Sequence, residues 1–178
     1  MLGYLQWSTR PDIATVVHQC ARFCNDPRLS FERAIRRIGK YLQGNKDKGV
    51  ILRPDPSLEL ECYVYADFVG NWSQNDPDNA ENVMSRTGYK VRYAGCPVYW
   101  SSKLWTIIAL STAEAEYIAL SQALREVIPT MCFLEEFKLD RLVRYLPTPR
   151  VHCSVFEDNT ACISMASAKK FSPSTDKN

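Results

Sequence analysis

The spacing of apolar residues changes once along this chain of 178 residues, and no other feature limits the possible folds as much. Between residues 11 and 43, apolar side chains recur every three or four positions, which is typical of amphipathic helices. From residue 58 they alternate with polar side chains, as Cys62, Val64 and Ala66 do, which predicts a strand that ends at Gly70. A helical N-terminal segment therefore precedes a part of the chain that forms a sheet.

The helical segment is predicted to be an αα-hairpin with one basic side, made of helices over residues 11–25 and 30–43. The second helix carries four cations, at Arg33, Arg36, Arg37 and Lys40. Residues 1–53 hold ten Lys and Arg against four Asp and Glu, although the net charge of the whole chain is only +2. Two interpretations stay open: these cations, together with Lys103, bind nucleic acid, or they are an ordinary solvated helix face.

The rest of the chain is predicted to be an α/β domain with a mixed sheet and the element order β–β–β–α–β–α. A polar loop over residues 71–86 follows the first strand, and the strands Gly88–Ala94 and Pro97–Ser102 then form a hairpin joined at Gly95-Cys96. The remaining predicted elements are a helix that begins at Ser111 or Thr112, the strand Val151–Phe156 and the helix Asn159–Ala168. Residues 105–110 are a further short strand or an extension of the third, and Pro129 is expected to kink or split the long helix. The predicted domain boundaries are 1–53 for the helical segment, 58–168 for the sheet domain and 169–178 for a frayed tail.

Three carboxylates stand at boundaries between predicted elements. Asp67 ends the first strand, Glu116 lies in the first turn of the long helix, and Asp158 follows the last strand. If the first and last strands are parallel neighbours, these acids meet at one edge of the sheet, where sites of α/β proteins gather. Carboxylates are the ligands that Mg²⁺ prefers, and a pair of such ions supports phosphodiester cleavage. The alternatives are that Asp158 caps the following helix and that Glu116 is an ordinary acid of the first helical turn, which the helix dipole favours.

The cysteines and the N-terminus bear on the compartment in which the protein works. Seven cysteines without a Cys-x-x-Cys pair, and two histidines without a second ligand at finger-like spacing, indicate free thiols in a reducing compartment rather than disulfides or zinc. The N-terminus lacks the features of a signal peptide, and no apolar run reaches the ~20 residues of a membrane span. We therefore expect an intracellular, cytoplasmic protein with no membrane partner.

Several segments, taken together and in order, resemble the C-terminal part of the Pol polyprotein of Ty1/copia retrotransposons. They are Thr9–Ala14 (TRPDIA), Tyr65–Gly70 (YADFVG, where the family has DADFAG), Ser85–Tyr89 (SRTGY), Trp100–Leu104 with Ala109–Tyr117 (WSSKL and ALSTAEAEY) and Phe156–Asn159 (FEDN). The resemblance implies an RNase H-like fold preceded by the connection segment that follows the reverse transcriptase. It also implies hydrolysis of the RNA strand of RNA–DNA hybrids, with Mg²⁺ or Mn²⁺ as cofactor and the reverse transcriptase domain as a partner.

The resemblance also implies which residues act, and it shows where this chain departs from the family. Glu116 and Asp158 match two family carboxylates, whereas the first-strand catalytic aspartate is replaced by Tyr65 and only the second aspartate of that motif remains, as Asp67. A phenol with a pKa of ~10 is neutral at working pH and is a poor Mg²⁺ ligand. The last strand and helix of the family fold are expected to be missing. We therefore expect a ribonuclease H-type site formed by Asp67, Glu116 and Asp158 with weak or no activity; the alternatives are a non-catalytic nucleic-acid binder and an inactive structural remnant.

Overall fold

The computed structural model of the chain describes residues 1–69, 84–105, 108–139 and 151–168. Within these ranges the protein is a mixed α/β structure with five α-helices, one short 3-10 helix and one sheet of four strands. The helices are α1 (Leu2–Ser8), a 3-10 turn (Pro11–Ile13), α2 (Ala14–Ala21), α3 (Leu29–Gly44), α4 (Thr112–Leu139) and α5 (Thr160–Ser167), and the strands are β1 (Leu60–Asp67), β2 (Arg86–Tyr93), β3 (Cys96–Leu104) and β4 (Cys153–Phe156). No helix in these ranges has the length and apolar character needed to cross a bilayer.

The sheet is mixed, with the strand order β3-β2-β1-β4. β2 pairs antiparallel with both β1 and β3, whereas β1 and β4 are parallel neighbours. The parallel pairing runs from Leu60 opposite Cys153 to Tyr63 opposite Phe156. Because β1 continues to Asp67, its C-terminal half extends past the end of β4. The parallel arrangement that the predicted acid site required is therefore present.

One face of the sheet is covered by α4, and we refer to it as the α4 face. Alternate residues of β1, among them Leu60, Cys62 and Val64, point to this face and are buried. The helix residues that meet them are small, since Ala119 and Ala123 have no exposed surface. Small side chains let a helix approach a sheet closely, so the core depends on the fit of alanines against branched strand residues.

The opposite face of the sheet carries the other β1 residues, including Tyr63, Tyr65 and Asp67, and we refer to it as the α2 face. The N-terminal helices pack on its β2–β3 side. Arg86 on β2 donates hydrogen bonds to His18 Nδ1 (3.3 Å) and to the Gln19 side-chain oxygen (2.7 Å), which joins α2 to the sheet. Helix α2 therefore covers part of this face.

The predicted αα-hairpin is observed as α2 and α3, with a helix before it that was not predicted. Ile13, Val17, Cys20 and Ile38 form its apolar core, which is separate from the core under α4. Helix α1 adds Leu2 and Leu5 to this cluster. The first predicted helix is shorter than expected, because it starts as a 3-10 turn at Pro11–Ile13 and α2 ends at Ala21.

The remaining differences concern turns and irregular segments. The β2–β3 hairpin turns at Ala94–Gly95, one residue earlier than predicted, and both residues have positive φ (50° and 76°). Such a two-residue turn matches the twist of the flanking strands. Residues 105 and 108–110 are not in a strand, and α4 continues through Pro129 as one helix. Residues 106–107, most of the predicted loop 71–86 and the predicted tail 169–178 lie outside the described residues.

Candidate active site

Three carboxylates meet at the end of β4 and the start of α4. Ligand oxygens of Glu116, Glu157 and Asp158 all lie within 4.8 Å of one another. Glu157 and Asp158 follow directly after β4, and Glu116 lies near the N-terminal end of α4. The parallel pairing of β1 with β4 and the connection through α4 thus bring together residues that are about forty positions apart in the sequence.

Glu116 is the buried member of the group, with 6% of its surface exposed. Its carboxylate accepts a hydrogen bond from the backbone N–H of Ala66, which lies in the part of β1 beyond β4. Its Oε2 atom is buried and has no hydrogen-bond partner among the described residues. Burial, followed by the charges of Glu157 and Asp158, raises the pKa of Glu116 to about 7 although the Ala66 hydrogen bond lowers it.

Glu157 and Asp158 differ in their surroundings. One oxygen of Glu157 accepts a hydrogen bond from the Asn159 backbone N–H (3.1 Å), and its Oε2 atom is buried without a partner among the described residues. Burial raises the pKa of Glu157 above its usual range. Asp158 is exposed. The group therefore contains two buried oxygens that lack a donor, a costly arrangement unless another group satisfies them.

Neither Asp158 nor Glu116 caps a helix, and the acid in the first turn of α4 is Glu114 rather than Glu116, which lies beyond that turn. The cap of α5 is Asn159, whose side-chain oxygen accepts a hydrogen bond from the Cys162 backbone N–H (2.9 Å). At the start of α4, Ser111 Oγ accepts from the Glu114 backbone N–H (3.1 Å), and Glu114 in turn accepts from Leu110 N–H (2.7 Å). Capping is thus carried out by other side chains.

Asp67 is not part of this group. Strand side chains alternate between faces, and because Ala66 lies on the α4 face, Asp67 lies on the α2 face. There it is directly opposite Arg86 of β2 and lines a cavity with Tyr65 and the N-terminal end of α2. The structure thus brings Glu116 and Asp158 together, adds Glu157 and leaves Asp67 outside. The signal for Glu157 was its position directly before Asp158, which sequence reasoning treated only as part of a motif.

The predicted nucleic-acid-binding cations lie on other elements than the acids. All four α3 cations are exposed, and Lys103 is exposed on β3. Arg36 pairs with Glu32 one helical turn earlier (2.8 Å). The exposed cations of α3 and β3 can contact an extended anionic partner without any change in the core.

Comparisons with known proteins place the chain in a family. It is 36% identical over 138 residues to a retrovirus-related Pol polyprotein from transposon TNT 1-94 of Nicotiana tabacum, a match over 78% of this chain and 10% of that protein. It is 30% identical over 155 residues to the Pol polyprotein from transposon RE1 of Arabidopsis thaliana, over 86% of this chain and 10% of that protein. The chain belongs to the family of Ty1/copia-type retrotransposon Pol polyproteins.

The Pol-derived chain covers only about a tenth of the length of these Pol polyproteins. It is also 34% identical over 125 residues to a protein named secreted RxLR effector protein 161 of Plasmopara viticola, over 70% of this chain and 82% of that protein. No family model matches the chain, and no solved structure matches it significantly.

Proposed function

We propose that this Pol-derived chain is an RNase H-like domain whose reaction is hydrolysis of the RNA strand of RNA–DNA hybrids, and that its activity is weak. The observation that carries the proposal is the meeting of Glu116 with Asp158 beside Glu157, within 4.8 Å of one another. The order of strands and helices from β1 to α5, with β1 central and parallel to β4, is consistent with an RNase H-like fold. In this reading, residues 1–53 are a connection segment on the reverse transcriptase side of a longer polyprotein that works in a reducing, cytoplasmic environment.

The acid group fits a hard divalent cation such as Mg²⁺ or Mn²⁺. It offers only carboxylate oxygens, and two of them are buried with no donor in the part of the chain that the structure describes, as expected of atoms that a cation satisfies. Glu116, Glu157 and Asp158 would hold the ion, which would supply activation of a water and stabilisation of the leaving oxygen. The Ala66 N–H keeps the Glu116 carboxylate at the edge of β1. Glu116 must be ionised to act as a ligand, and its raised pKa makes ligation sensitive to pH near neutrality.

Weak activity follows from the residue at position 65. Tyr65 lies directly before Ala66, whose N–H binds Glu116, and it carries a phenol where the family has a carboxylate. Position 65 lies on the α2 face with Asp67, so β1 contributes no carboxylate to the acid group. A site with fewer carboxylates holds divalent ions less tightly, because each carboxylate offsets part of the ion's charge.

The test is cleavage of an end-labelled RNA strand annealed to DNA, in Mg²⁺ and in Mn²⁺, followed on a denaturing gel. We expect slow cleavage by the wild-type chain and none by Glu116→Gln, which keeps the shape but removes the charge. The matched control is Glu114→Gln, which alters an acid of the same helix outside the group. Equal cleavage by the wild type and by Glu116→Gln would overturn the assignment of the site.

Restoring the missing carboxylate should raise the activity. Tyr65 is 57% exposed, so Tyr65→Asp leaves the core intact. Position 65 adjoins the peptide whose N–H binds Glu116. We expect roughly tenfold faster cleavage if a carboxylate there takes part in holding the ion, and an unchanged rate if only the acids of the α4 face hold it. Tyr65→Asn is the matched control, and a rate increase shared by both substitutions would show that the charge is not the cause.

Non-catalytic binding of nucleic acid is the second candidate, and the exposed cations of α3 favour it. It predicts retention of RNA–DNA hybrid by the wild type and by Glu116→Gln alike, with no cleavage even after Tyr65→Asp. Retention that is insensitive to salt would contradict this candidate, since binding to phosphates weakens steeply as salt rises.

A further inference from the structure

A groove of about 460 Å³ lies on the α2 face of the sheet, away from α4. Its wall is the start of α2, with Ala14 and Thr15, and its floor is made of β1, β2 and β3. The acid group of the proposed function lies on the other face of the sheet, and of the groove lining only position 65 enters that proposal. The question is which ligand its floor and wall suit.

Aromatic side chains form much of the groove floor. Tyr65 is 57% exposed, and two residues earlier on the same strand Tyr63 stacks on Phe156 of β4, with ring centroids 4.7 Å apart and planes 13° apart. Phe156 is itself 46% exposed. Lys90 and Arg92 of β2 lie over the other side of the Tyr63 ring, so Tyr65 is the aromatic surface of β1 that is open to a ligand.

Gly88 leaves room beside the exposed ring. It lies directly opposite Tyr65 on β2, in the middle of the strand. A Cβ atom placed on Gly88 would meet nothing closer than 3.8 Å, so a side chain fits there without moving the backbone and would occupy the groove instead. Glycine inside a strand often marks a place where a ligand approaches closely.

Within the described residues the two cations of the groove form no close ion pair, although the charge of Asp67 acts on Arg86. Arg86 is 91% buried, yet its hydrogen-bond acceptors are the neutral side chains of His18, Gln19 and Ser102. The Lys90 ammonium lies 5.1 Å from the centre of the Tyr63 ring. No carboxylate among the described residues lies within 4.0 Å of either cation. Asp67 is the one acid of the lining, and it stands opposite Arg86 at the end of the groove.

We propose that this groove binds single-stranded nucleic acid, with a base stacked on Tyr65 and a phosphate beside Lys90. The inference goes beyond the proposed function, because it concerns a different face of the sheet from the acid group and requires no metal ion. Stacking platforms beside a row of cations are how proteins hold single strands with little sequence preference. A duplex does not suit this groove, since its bases are already stacked on each other. A proline-rich peptide also binds aromatic grooves, but it gives no role to the exposed Lys90 ammonium.

The experiment is fluorescence anisotropy of a labelled single-stranded oligothymidylate with the full chain, at low salt and in EDTA. We expect Tyr65→Ala to weaken binding about fivefold or more, which is the loss of one base–aromatic stack. Gly88→Val should weaken it similarly by filling the groove, and Lys90→Ala should weaken it and reduce its salt dependence. Tyr4→Ala and Lys48→Ala remove an exposed tyrosine and an exposed lysine elsewhere, and both should bind like the wild type.

Equal oligothymidylate affinity for the wild type, Tyr65→Ala and Gly88→Val would overturn the proposal. So would binding of a proline-rich peptide that is lost in Gly88→Val while the oligonucleotide affinity is unchanged. If Gly88→Val lowers the thermal midpoint, Tyr65→Ala decides the result, because its side chain is largely exposed. The outcome is independent of hybrid cleavage, since EDTA removes the cation that the acid group needs.

Discussion

Glu116 combines a buried position with a charge that its surroundings oppose. Burial raises its pKa from the ordinary 4.5 to about 7, so the folded chain holds this proton more tightly than the unfolded chain does. The stabilisation is complete below about 4.5 and is lost as the pH rises through about 7. Without a metal ion, the ionised site therefore destabilises the fold at neutral pH.

This pH dependence can be measured by thermal unfolding in EDTA between pH 5 and pH 8. We expect the thermal midpoint of the wild type to fall relative to that of Glu116→Gln as the pH rises, because the glutamine does not ionise. Taking the difference between the two proteins cancels most contributions from other titrating groups, such as His18, whose pKa is lowered chiefly by burial. Parallel curves for the two proteins would show that Glu116 titrates normally.

Single substitutions can decide whether Glu157 or Asp67 is the third ligand of the proposed metal ion. Mg²⁺ should raise the thermal midpoint of the wild type, because a ligand that binds only the folded state stabilises it. We expect Glu157→Gln to lose this shift and Asp67→Asn to keep it, since Glu157 lies within the acid group and Asp67 on the α2 face. The reverse pattern would assign the ligand to Asp67.

Sequence reasoning located Glu116 and Asp158 because both stand at element boundaries. It did not find Glu157, because the backbone is irregular after a strand end, and the directions of adjacent side chains there cannot be predicted from a repeating pattern. The alternation that placed Asp67 and Tyr65 on one face was readable from the sequence, but the position of that face relative to α4 was not. That position depends on which face the long helix covers.

Helix α4 places most of its predicted apolar face against the sheet. The large apolar residues of that face join the core (Leu120, Leu124, Val127, Met131 and Leu134), except Tyr117, which is 44% exposed. Alanines that the spacing does not single out, among them Ala119 and Ala123, are buried beside them. The spacing of large apolar residues predicts which face of a helix is buried, but whether an alanine lies in the contact depends on how closely helix and sheet approach. The spacing also does not predict how much of an apolar face is covered. Val16 of α2 and Ile35 of α3 lie on predicted apolar faces and are nevertheless exposed. Strands and helices were predictable from their period, and α1, a helix of seven residues, was too short to show one.

Pro129 permits a test of how much a proline inside α4 lowers the stability of the protein. Proline inside a helix lacks the N–H that would bond to the preceding turn, and Pro129 is exposed, so its ring is not needed in the core. We expect Pro129→Ala to raise the free energy of unfolding by about 1–3 kcal/mol. Urea denaturation measures it, with Ser121→Ala as a control at an exposed position of the same helix. A loss of stability would mean that the packing of α4 depends on the bend that proline introduces.

At the scale of the whole molecule, the charge is divided between elements: cations on α3 and acids at the end of β4. Under the proposed function, phosphates of the RNA–DNA hybrid contact the α3 cations while the RNA strand meets the acids. Replacing Arg33, Arg37 and Lys40 by alanine should weaken hybrid binding and lower the slope of log affinity against log salt by up to ~0.9 for each phosphate that these side chains neutralise. Electrophoretic mobility shifts over a salt series measure the slope. A triple alanine variant with an unchanged slope would assign these cations to a solvated helix face.

The exposed position of Tyr65 means that shape and chemistry can be lost separately in proteins of this kind. The side chain contributes little to the buried core, so under the proposed function the exchange of a carboxylate there lowers activity and leaves the architecture nearly untouched. Copies of such a sequence can therefore lose activity through substitutions and still fold, so a correct fold does not by itself establish turnover.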